Sequence, residues 1–256
     1  MHTPHAVLNA APRGTHLFTS ESVTEGHPDK VADTIADAVL DAYLAHDPGA
    51  RVACEVLCKQ DQVVLAGEVD AHLRIDHAAV AREAIRRIGY TDPATHFHAD
   101  GVVITDLIGR QSSNISEGIL AQGELGAGDQ GLVFGYATDE TPGLMPLPIV
   151  LAHRLTAALA EERRSGNAPW LRPDAKAQVT VRYHGITPEA VDTVVVSTQH
   201  AADQPVHDVQ QWLREQFIPR VLGTWWHPDI TVHANPAGAF VQGGPEADCG
   251  VTGRKI

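Results

Sequence analysis

Residues 51–69, with the sequence RVACEVLCKQDQVVLAGEV, contain the pattern that decides the fold. Two runs rich in aliphatic residues, Arg51–Leu57 and Val63–Val69, are separated by the polar segment Lys59–Gln62. Short apolar runs on either side of a polar turn are typical of a β-hairpin. We therefore expect two paired strands here.

Helical patterns flank this hairpin on both sides. Pro28 opens a run with apolar residues at helical spacing, namely Val31, Ile35, Val39 and Tyr43. Asp76 is a candidate N-cap for a second helix, which Gly89 would end. Val102–Leu107 then predicts a buried strand.

The same order of elements recurs in the second half of the chain. The patterns predict a helix from about Leu147 to Arg163, strands at Val179–Tyr183 and Thr193–Ser197, a helix at Val206–Val221 and a strand at Thr231–Ala234. The repeated order α, ββ, α, β predicts an α+β fold, with antiparallel sheets covered by helices on one face.

Two segments carry no such pattern. Gly109–Gly131 is rich in glycine and serine and is typical of a long mobile loop, a kind of segment that is often functional. Met1–Thr15 indicates a loose tail, because it lacks the basic start and apolar stretch of a signal peptide.

Charge and cysteine content exclude several classes of protein. The net charge of −13 argues against a basic nucleic-acid-binding surface and against binding to anionic membranes. Three cysteines, an odd and low number, favour a reduced cytoplasmic protein. Cys54 and Cys58 would lie about 13 Å apart along a strand, too far for a disulfide.

Two charged clusters are candidate binding elements. His27-Pro28-Asp29-Lys30 lies at a predicted helix N-terminus, where backbone N–H groups and the helix dipole favour an anion. Its alternative is a helix cap with surface charges. Asp174 and Lys176, placed just before a predicted strand, share one face and could reach one ligand together. Their alternative is an exposed ion pair.

Further candidates are weaker taken singly. Gly126–Gly131 could bring backbone close to a ligand while Asp129 supplies a carboxylate. Phe240, within a glycine-rich loop, could stack on a base or pack in the core. Glu55 and Glu68 lie among apolar strand residues and suggest a metal or ammonium ligand, unless they simply face outward.

The last nine residues, Asp248–Ile256, read DCGVTGRKI. An acid, small turn-forming residues and the pair Arg254-Lys255 indicate an anion-binding corner. A domain rarely ends on such an element, because a terminal segment is poorly ordered unless something ties it down.

Taken together, these segments are far more specific than any one alone. FTSESVTEGHPDKVAD (18–33), ARVACE (50–55), GAGDQGLVFGYATDET (126–141), WLRPDAKAQVT (170–180), STQH (197–200) and DCGVTGRKI resemble methionine adenosyltransferase, also called S-adenosylmethionine synthase. The resemblance runs from about His16 to Ile256. It implies synthesis of S-adenosylmethionine from ATP, L-methionine and water, with hydrolysis of the tripolyphosphate intermediate to phosphate and pyrophosphate.

The resemblance also implies roles for individual residues. ATP contacts are implied for His27, Asp174, Lys176, Phe240, Asp248, Arg254 and Lys255. Of these, the catalytic group that acts on the polyphosphate is His27, Lys176, Arg254 and Lys255. Methionine-binding positions are Glu68, Gln111, Asp129 and Asp248. Asp29 matches a Mg²⁺ ligand and Glu55 matches a K⁺ ligand.

The family fold implies repeated α+β domains with mixed or antiparallel sheets around a pseudo-threefold axis, assembled from discontinuous segments. The expected division is a tail at 1–15, an N-terminal domain from 16–25 and 142–242, a central domain from 26–110 and 243–256, and a gating loop with the start of a third domain at 111–141. A cytoplasmic homodimer that pairs into a homotetramer is expected, without nucleic-acid or membrane partners.

This sequence differs from the family pattern at its C-terminal end. Members of the family continue past Ile256 with two further lysines and a carboxylate of the site, and with most of the third domain. We therefore expect little turnover by the 256-residue chain alone. The alternative to an enzyme is an inactive remnant that at most binds nucleotide or pairs with another subunit.

Overall fold

The computed structural model of the chain describes residues 14–110 and 131–253. Its first half contains β1 (Thr15–Val23), α1 (Pro28–Leu44), β2 (Arg51–Lys59), β3 (Gln62–Asp70), α2 (His77–Ile88) and β4 (Val103–Arg110). Its second half contains α3 (Leu147–Arg164), β5 (Leu171–His184), β6 (Thr187–His200), α4 (Val206–Trp212), α5 (Ile218–Leu222), β7 (Thr231–Ala234) and β8 (Gly250–Val251). A π-helical turn, Leu213–Phe217, joins α4 to α5.

The strands form two sheets with the same plan. The first sheet has the order β1-β5-β6-β7, and the second, written in the matching direction, has the order β8-β2-β3-β4. In each, an outer strand pairs antiparallel with a hairpin, and the last strand pairs parallel with the hairpin's second strand. The repeated α+β organisation is therefore confirmed.

Both sheets are mixed, which is one of the two arrangements that the resemblance implies, whereas the pattern of elements alone indicated antiparallel sheets. The β3–β4 and β6–β7 pairs are parallel because helical segments lie between their strands along the chain, and a helical crossover returns the chain in the same direction.

Helix boundaries follow their sequence signals closely. The Asp76 side chain accepts a hydrogen bond from the N–H of Ala79, and so caps α2. Gly89 ends this helix with φ of 111°, in the left-handed region that glycine tolerates best. The predicted cap and stop of α2 are both confirmed.

Each sheet buries one face against its own helices. One core cluster joins α3 to the first sheet and includes the fully buried Leu151, Leu155 and Val179. The other joins α1 and α2 to the second sheet and includes Ile35 and Leu65. We call each sheet with its helices a unit. Burial of aliphatic side chains, at roughly 25 cal/mol per Å², is thus the main stabilising term in both units.

The strands of the second hairpin are longer than the sequence suggests. Arg172–Lys176 was expected to precede a strand, yet it lies within β5, where pairing with β6 is irregular between Leu171 and Ala175. Pro173 removes a backbone donor at this point, so the segment looks like a turn although the strand continues. At the N-terminus, β1 already begins at Thr15, inside the predicted tail.

Three other expectations concern loops, cysteines and membranes. The predicted loop at Gly109–Gly131 starts later, since β4 extends to Arg110, and most of it lies outside the described residues. All three cysteines are free, as expected, and burial raises the thiol pKa of Cys58 to about 12. None of the helices in the described ranges has the length and apolar character needed to cross a bilayer.

The chain passes between the two units at one place that matters for the site. After β1, the Thr24 hydroxyl donates to the carbonyl of Pro173 (2.7 Å) on β5, and α1 then begins on the second sheet. β8 returns from the far end of the chain to pair with β2 beside the start of α1. The start of α1, β5 and β8 therefore meet at the junction of the two sheets.

Candidate functional site

The N-terminus of α1 provides the first part of the site. His27 is the N-cap residue, and its Nδ1 accepts a hydrogen bond from the N–H of Asp29 (3.2 Å). An accepting Nδ1 places the proton of a neutral imidazole on Nε2. His27 and Asp29 have side chains only 12% and 7% exposed, so the cap is real but these groups are not surface charges.

The segment 250–253 is tied to this helix by carboxylates. The N–H of Val251 donates to Oδ1 of Asp29 (3.1 Å), and the N–H of Gly253 donates to Oδ1 of Asp33 (2.9 Å). The Thr252 hydroxyl donates to the carboxylate of Glu55 on β2. These contacts hold residues 250–253 against α1 and β2, and Arg254 and Lys255, which follow in the sequence, lie outside the described residues.

A close backbone approach fixes the same corner. A Cβ added at Gly250 would lie 2.0 Å from the carbonyl oxygen of Pro28. Only glycine allows β8 to pass this close to the first turn of α1.

Asp174 is the buried carboxylate of the site. Its Oδ2 accepts a hydrogen bond from the N–H of Gly244 (2.8 Å), and only 7% of the residue is exposed. Burial raises the pKa of Asp174 to about 6, and the charge of Asp248 adds to this, while the Gly244 N–H and the charge of Lys176 oppose it.

Asp248 and Lys176 lie around Asp174 at more open positions. The N–H of Asp248 donates to the carbonyl of Gly244 (3.1 Å), which places the second carboxylate on the same turn. Nζ of Lys176 is 3.7 Å from Oε1 of Glu21, with both side chains more than 40% exposed. The alternative of an exposed Asp174–Lys176 ion pair is wrong, since Asp174 is buried and Lys176 pairs elsewhere.

Phe240 is held in place by the end of β6. His200 and Phe240 exchange two hydrogen bonds, from the His200 N–H to the Phe240 carbonyl (2.9 Å) and from the Phe240 N–H to Nε2 of His200 (3.1 Å). The Gln199 side chain also donates to the carbonyl of Val241 (3.0 Å). The loop that carries the half-buried Phe240 ring is therefore held at these points, and it leads to Gly244, whose N–H binds Asp174.

Glu55 and Glu68 occupy a different surface. Both are exposed and lie on the outer face of the second sheet, opposite its helices. The outward-facing alternative is therefore the correct one, since neither carboxylate is buried and neither needs a cation to offset the cost of burial. Glu55 still reaches the corner through Thr252, whereas Glu68 has no side-chain hydrogen bond or ion pair to another residue of the described ranges.

The structure thus brings together His27, Asp29, Asp174, Lys176, Phe240 and Asp248 around the junction of the two sheets. Gln111, Asp129, Arg254 and Lys255 lie outside the described residues. Sequence reasoning missed the residues that hold this set, notably Asp33, Tyr90 and Thr252. An Asp one turn after Asp29, and a Tyr directly after a helix-ending Gly, were the available signals.

The donor set fits metal ions that prefer oxygen ligands. Asp29 has carboxylate lone pairs beyond the one that Val251 occupies, and Glu55 lies beside a hydroxyl. In the described ranges no three His, Cys, Asp or Glu side chains converge to form a closed metal cage. Mg²⁺ is commonly held by one or two carboxylates together with water and phosphate oxygens, so Asp29 fits that chemistry.

Two models of protein families match most of the chain. The family model of the S-adenosylmethionine synthetase N-terminal domain matches residues 15–113, and that of the central domain matches residues 124–240. The chain belongs to the S-adenosylmethionine synthetase family. β8 lies outside both matches, yet it closes the corner against β2.

Curated relatives support the same assignment. An S-adenosylmethionine synthase from Sulfurovum sp. is 52% identical over 94% of this chain and 63% of its own length. Those from Salinibacter ruber and Helicobacter hepaticus are 50% and 49% identical, over 64% and 63% of their own lengths. The chain thus spans somewhat less than two thirds of the relatives it matches.

Proposed function

We propose that the chain contributes the nucleotide and polyphosphate part of an S-adenosylmethionine synthase, a transferase that uses ATP and L-methionine. The observation that carries the proposal is the corner in which Asp29 binds the backbone of Val251, three residues before Arg254. The corner lies at a helix N-terminus, which favours an anion, and the basic pair Arg254-Lys255 follows it directly in the sequence.

The residue types suit the proposed chemistry. A thioether sulfur has no proton to lose, so its attack on the C5′ carbon of ATP needs no general base. The barrier lies in the departing tripolyphosphate, and preorganised cations directed at its developing charge are the effective catalyst. His27, Lys176, Arg254 and Lys255 are proposed for that role, and the same site then hydrolyses the tripolyphosphate to phosphate and pyrophosphate.

Asp29 is proposed to hold Mg²⁺, and Glu55 with Thr252 to hold K⁺. Bound Mg²⁺ would supply positive charge to the phosphate oxygens. Asp174 and Asp248 are proposed to accept hydrogen bonds from the substrate beside the phosphates, and Phe240 to contact the adenine ring.

Methionine binding is proposed for Glu68, Gln111, Asp129 and Asp248. Glu68 lies on the outer face of the second sheet, where Leu57, Val103 and Leu107 are 38%, 50% and 61% exposed. Exposed apolar side chains of this kind are typical of an interface. We therefore propose a homodimer that pairs through this face, shares its sites and forms a homotetramer.

The proposed domain division follows the sheets rather than the order of the chain. β1 pairs with β5 although 147 residues lie between the end of β1 and the start of β5. β8 likewise pairs with β2, from which it is distant in the sequence. This pairing supports an N-terminal domain from 16–25 and 142–242 and a central domain from 26–110 and 243–256. A cytoplasmic location is proposed from the absence of disulfides in the described ranges and the reduced cysteines.

A mass-spectrometric assay of S-adenosylmethionine tests the function. The chain is incubated with ATP, methionine, Mg²⁺ and K⁺, alone and mixed with a full-length relative. Mg²⁺-dependent product above the relative's own output supports the enzyme. Nucleotide binding or mixed oligomers without added product support the second candidate, a binding or partner subunit. Neither product, binding nor mixed oligomers would overturn both.

A further inference from the structure

The buried Tyr90 side chain lies against two backbone turns of the site, those of Gly26 and Gly244. Its hydroxyl donates a hydrogen bond to the carbonyl of Gly26 (2.6 Å), the residue before the His27 cap. On the other side, a Cβ added at Gly244 would lie 2.0 Å from the same hydroxyl oxygen. One phenol thus separates the turn that carries His27 and Asp29 from the turn that binds Asp174.

The position of the phenol is well defined. Tyr90 is 7% exposed, and its ring packs edge-on against Phe97 with centroids 5.2 Å apart. Its own carbonyl accepts from the N–H of Ala99 (2.9 Å), and its N–H bonds back to Ile85 at the end of α2. Because both the backbone and the ring of Tyr90 are fixed by these contacts, its hydroxyl keeps a constant position relative to Gly26 and Gly244.

The surroundings favour an intact hydroxyl rather than a phenolate. Burial raises the pKa of Tyr90 well above its usual value, and the charge of Asp174 acts in the same direction. Tyr90 therefore remains a hydrogen-bond donor to Gly26 throughout the range in which proteins work.

We infer that the Tyr90 hydroxyl sets the spacing between the His27–Asp29 turn and the Gly244 turn, and so positions both for one nucleotide. Tyr90 is a positioning residue, because its contacts are with the backbone that carries the site residues. The inference rests on the nucleotide site proposed above. It adds a determinant in the segment that follows α2, to which that proposal gives no role.

The test compares Tyr90→Phe with Tyr43→Phe. Tyr90→Phe keeps the ring against Phe97 and removes only the hydroxyl. Tyr43 is a matched control, since it is 2% exposed and its hydroxyl bonds to Nε2 of His77 (2.8 Å) away from the site turns. Both variants lose one buried hydrogen bond, so both should lower the urea midpoint to a similar degree.

Two readouts separate positioning from stability. The first is the NMR resonance of the His27 imidazole without ligand, and the second is the calorimetric affinity for the ATP analogue AMPPNP with Mg²⁺. Tyr90→Phe should shift the resonance and weaken binding about tenfold or more, whereas Tyr43→Phe should change neither. Equal behaviour of the two variants in both readouts would overturn the inference.

The outcomes also distinguish the inference from the proposed function. If the wild-type chain is folded but does not bind AMPPNP, the proposed site fails and the His27 resonance alone decides the role of Tyr90. If Tyr90→Phe does not fold, 3-fluorotyrosine at position 90 supplies a ¹⁹F resonance in a chain that keeps its hydroxyl. That resonance should move on saturation with Mg²⁺ and AMPPNP, and a fixed resonance would refute the role.

Discussion

At the scale of single residues, Asp174 shows how the site is held at a cost in stability. Its carboxylate is buried against the Gly244 N–H and lies near a second carboxylate, Asp248. Water would solvate such a charge better than this environment does, which is why the pKa of Asp174 rises to about 6. A carboxylate that stays buried although burial disfavours its charge is typical of a residue that contacts a ligand.

Replacing Asp174 with Asn should change the pH dependence of folding. Between about pH 4 and 6 the folded chain keeps a proton on Asp174 that the unfolded chain has released, so stability falls as pH rises through this window. The free energy of unfolding of Asp174→Asn should lack up to about 3 kcal/mol of the decrease that wild type shows across this pH window. Urea unfolding across these pH values measures it.

Asp203→Asn, at an exposed position, is the control and should leave the wild-type slope in place. A slope in Asp174→Asn that equals that of wild type would contradict the assignment of a raised pKa to this carboxyl.

At the scale of elements, caps and short pairings set where the site residues lie. The start of α1 is fixed from both sides, by the N-cap His27 and by β8, whose Val251 N–H reaches Asp29. β8 has only two residues, so its own ladder with β2 is small. Its position depends on the carboxylates of α1 and on the close approach at Gly250.

Gly250→Ala should therefore disturb the site strongly, although the substitution adds only one methyl group. The new Cβ would meet the backbone of Pro28, which has no flexible side chain to move aside. We expect a loss of about 1–3 kcal/mol in the free energy of unfolding and weaker Mg²⁺-dependent binding of tripolyphosphate. Urea titration and calorimetry measure the two effects.

Gly143→Ala is the matched control, because a Cβ there meets nothing within 4 Å and should be nearly neutral. Equal stability and equal binding in both alanine variants would show that the close approach at Gly250 has no consequence.

At the scale of the whole molecule, the two units are joined by an arginine between their helices. Nη2 of Arg163, at the end of α3, donates to Oε1 of Glu25 (2.6 Å) and to the carbonyl of Ile88 (2.7 Å) at the end of α2. Arg163 is 14% exposed in its side chain, whereas Arg164, which also binds Glu25, is 54% exposed. Glu25 comes directly before the Gly26-His27 turn, so this contact links the packing of the units to the site.

Arg163→Lys should weaken the joint although it keeps the charge. Lysine has no guanidinium extending as far as Nη2, so its Nζ would stop short of these acceptors, and a partly buried acceptor would lose its donor. We expect a loss of about 1–3 kcal/mol in the free energy of unfolding. Arg164→Lys, at the exposed partner, should cost less than about 1 kcal/mol. Indistinguishable urea curves for the two variants would remove Arg163 from this role.

Much of this architecture could be predicted from sequence, for identifiable reasons. Val31, Ile35 and Val39 mark the buried face of α1, and Asp76 with Gly89 marks the ends of α2, because these signals are local. The parallel pairing of β4 with β3 and the outward direction of Glu68 depend on contacts between distant segments. Periodicity carries no information on such contacts.

The site divides in the same way. His27 and Asp29 could be found because a helix N-terminus has a recognisable sequence. Tyr90 could not, because its role depends on Gly26 and Gly244, which lie 64 positions before it and more than 150 after it. Asp174 was found with Lys176 as a pair, but only the structure separates the buried acid from the exposed base.

The most direct test of the account is calorimetry of the folded 256-residue chain with tripolyphosphate, with and without Mg²⁺. We expect binding that requires Mg²⁺ and that weakens about tenfold or more in Asp29→Asn. A folded chain that takes up no tripolyphosphate with Mg²⁺, or an Asp29→Asn variant that binds it as tightly as wild type, would contradict the central claim.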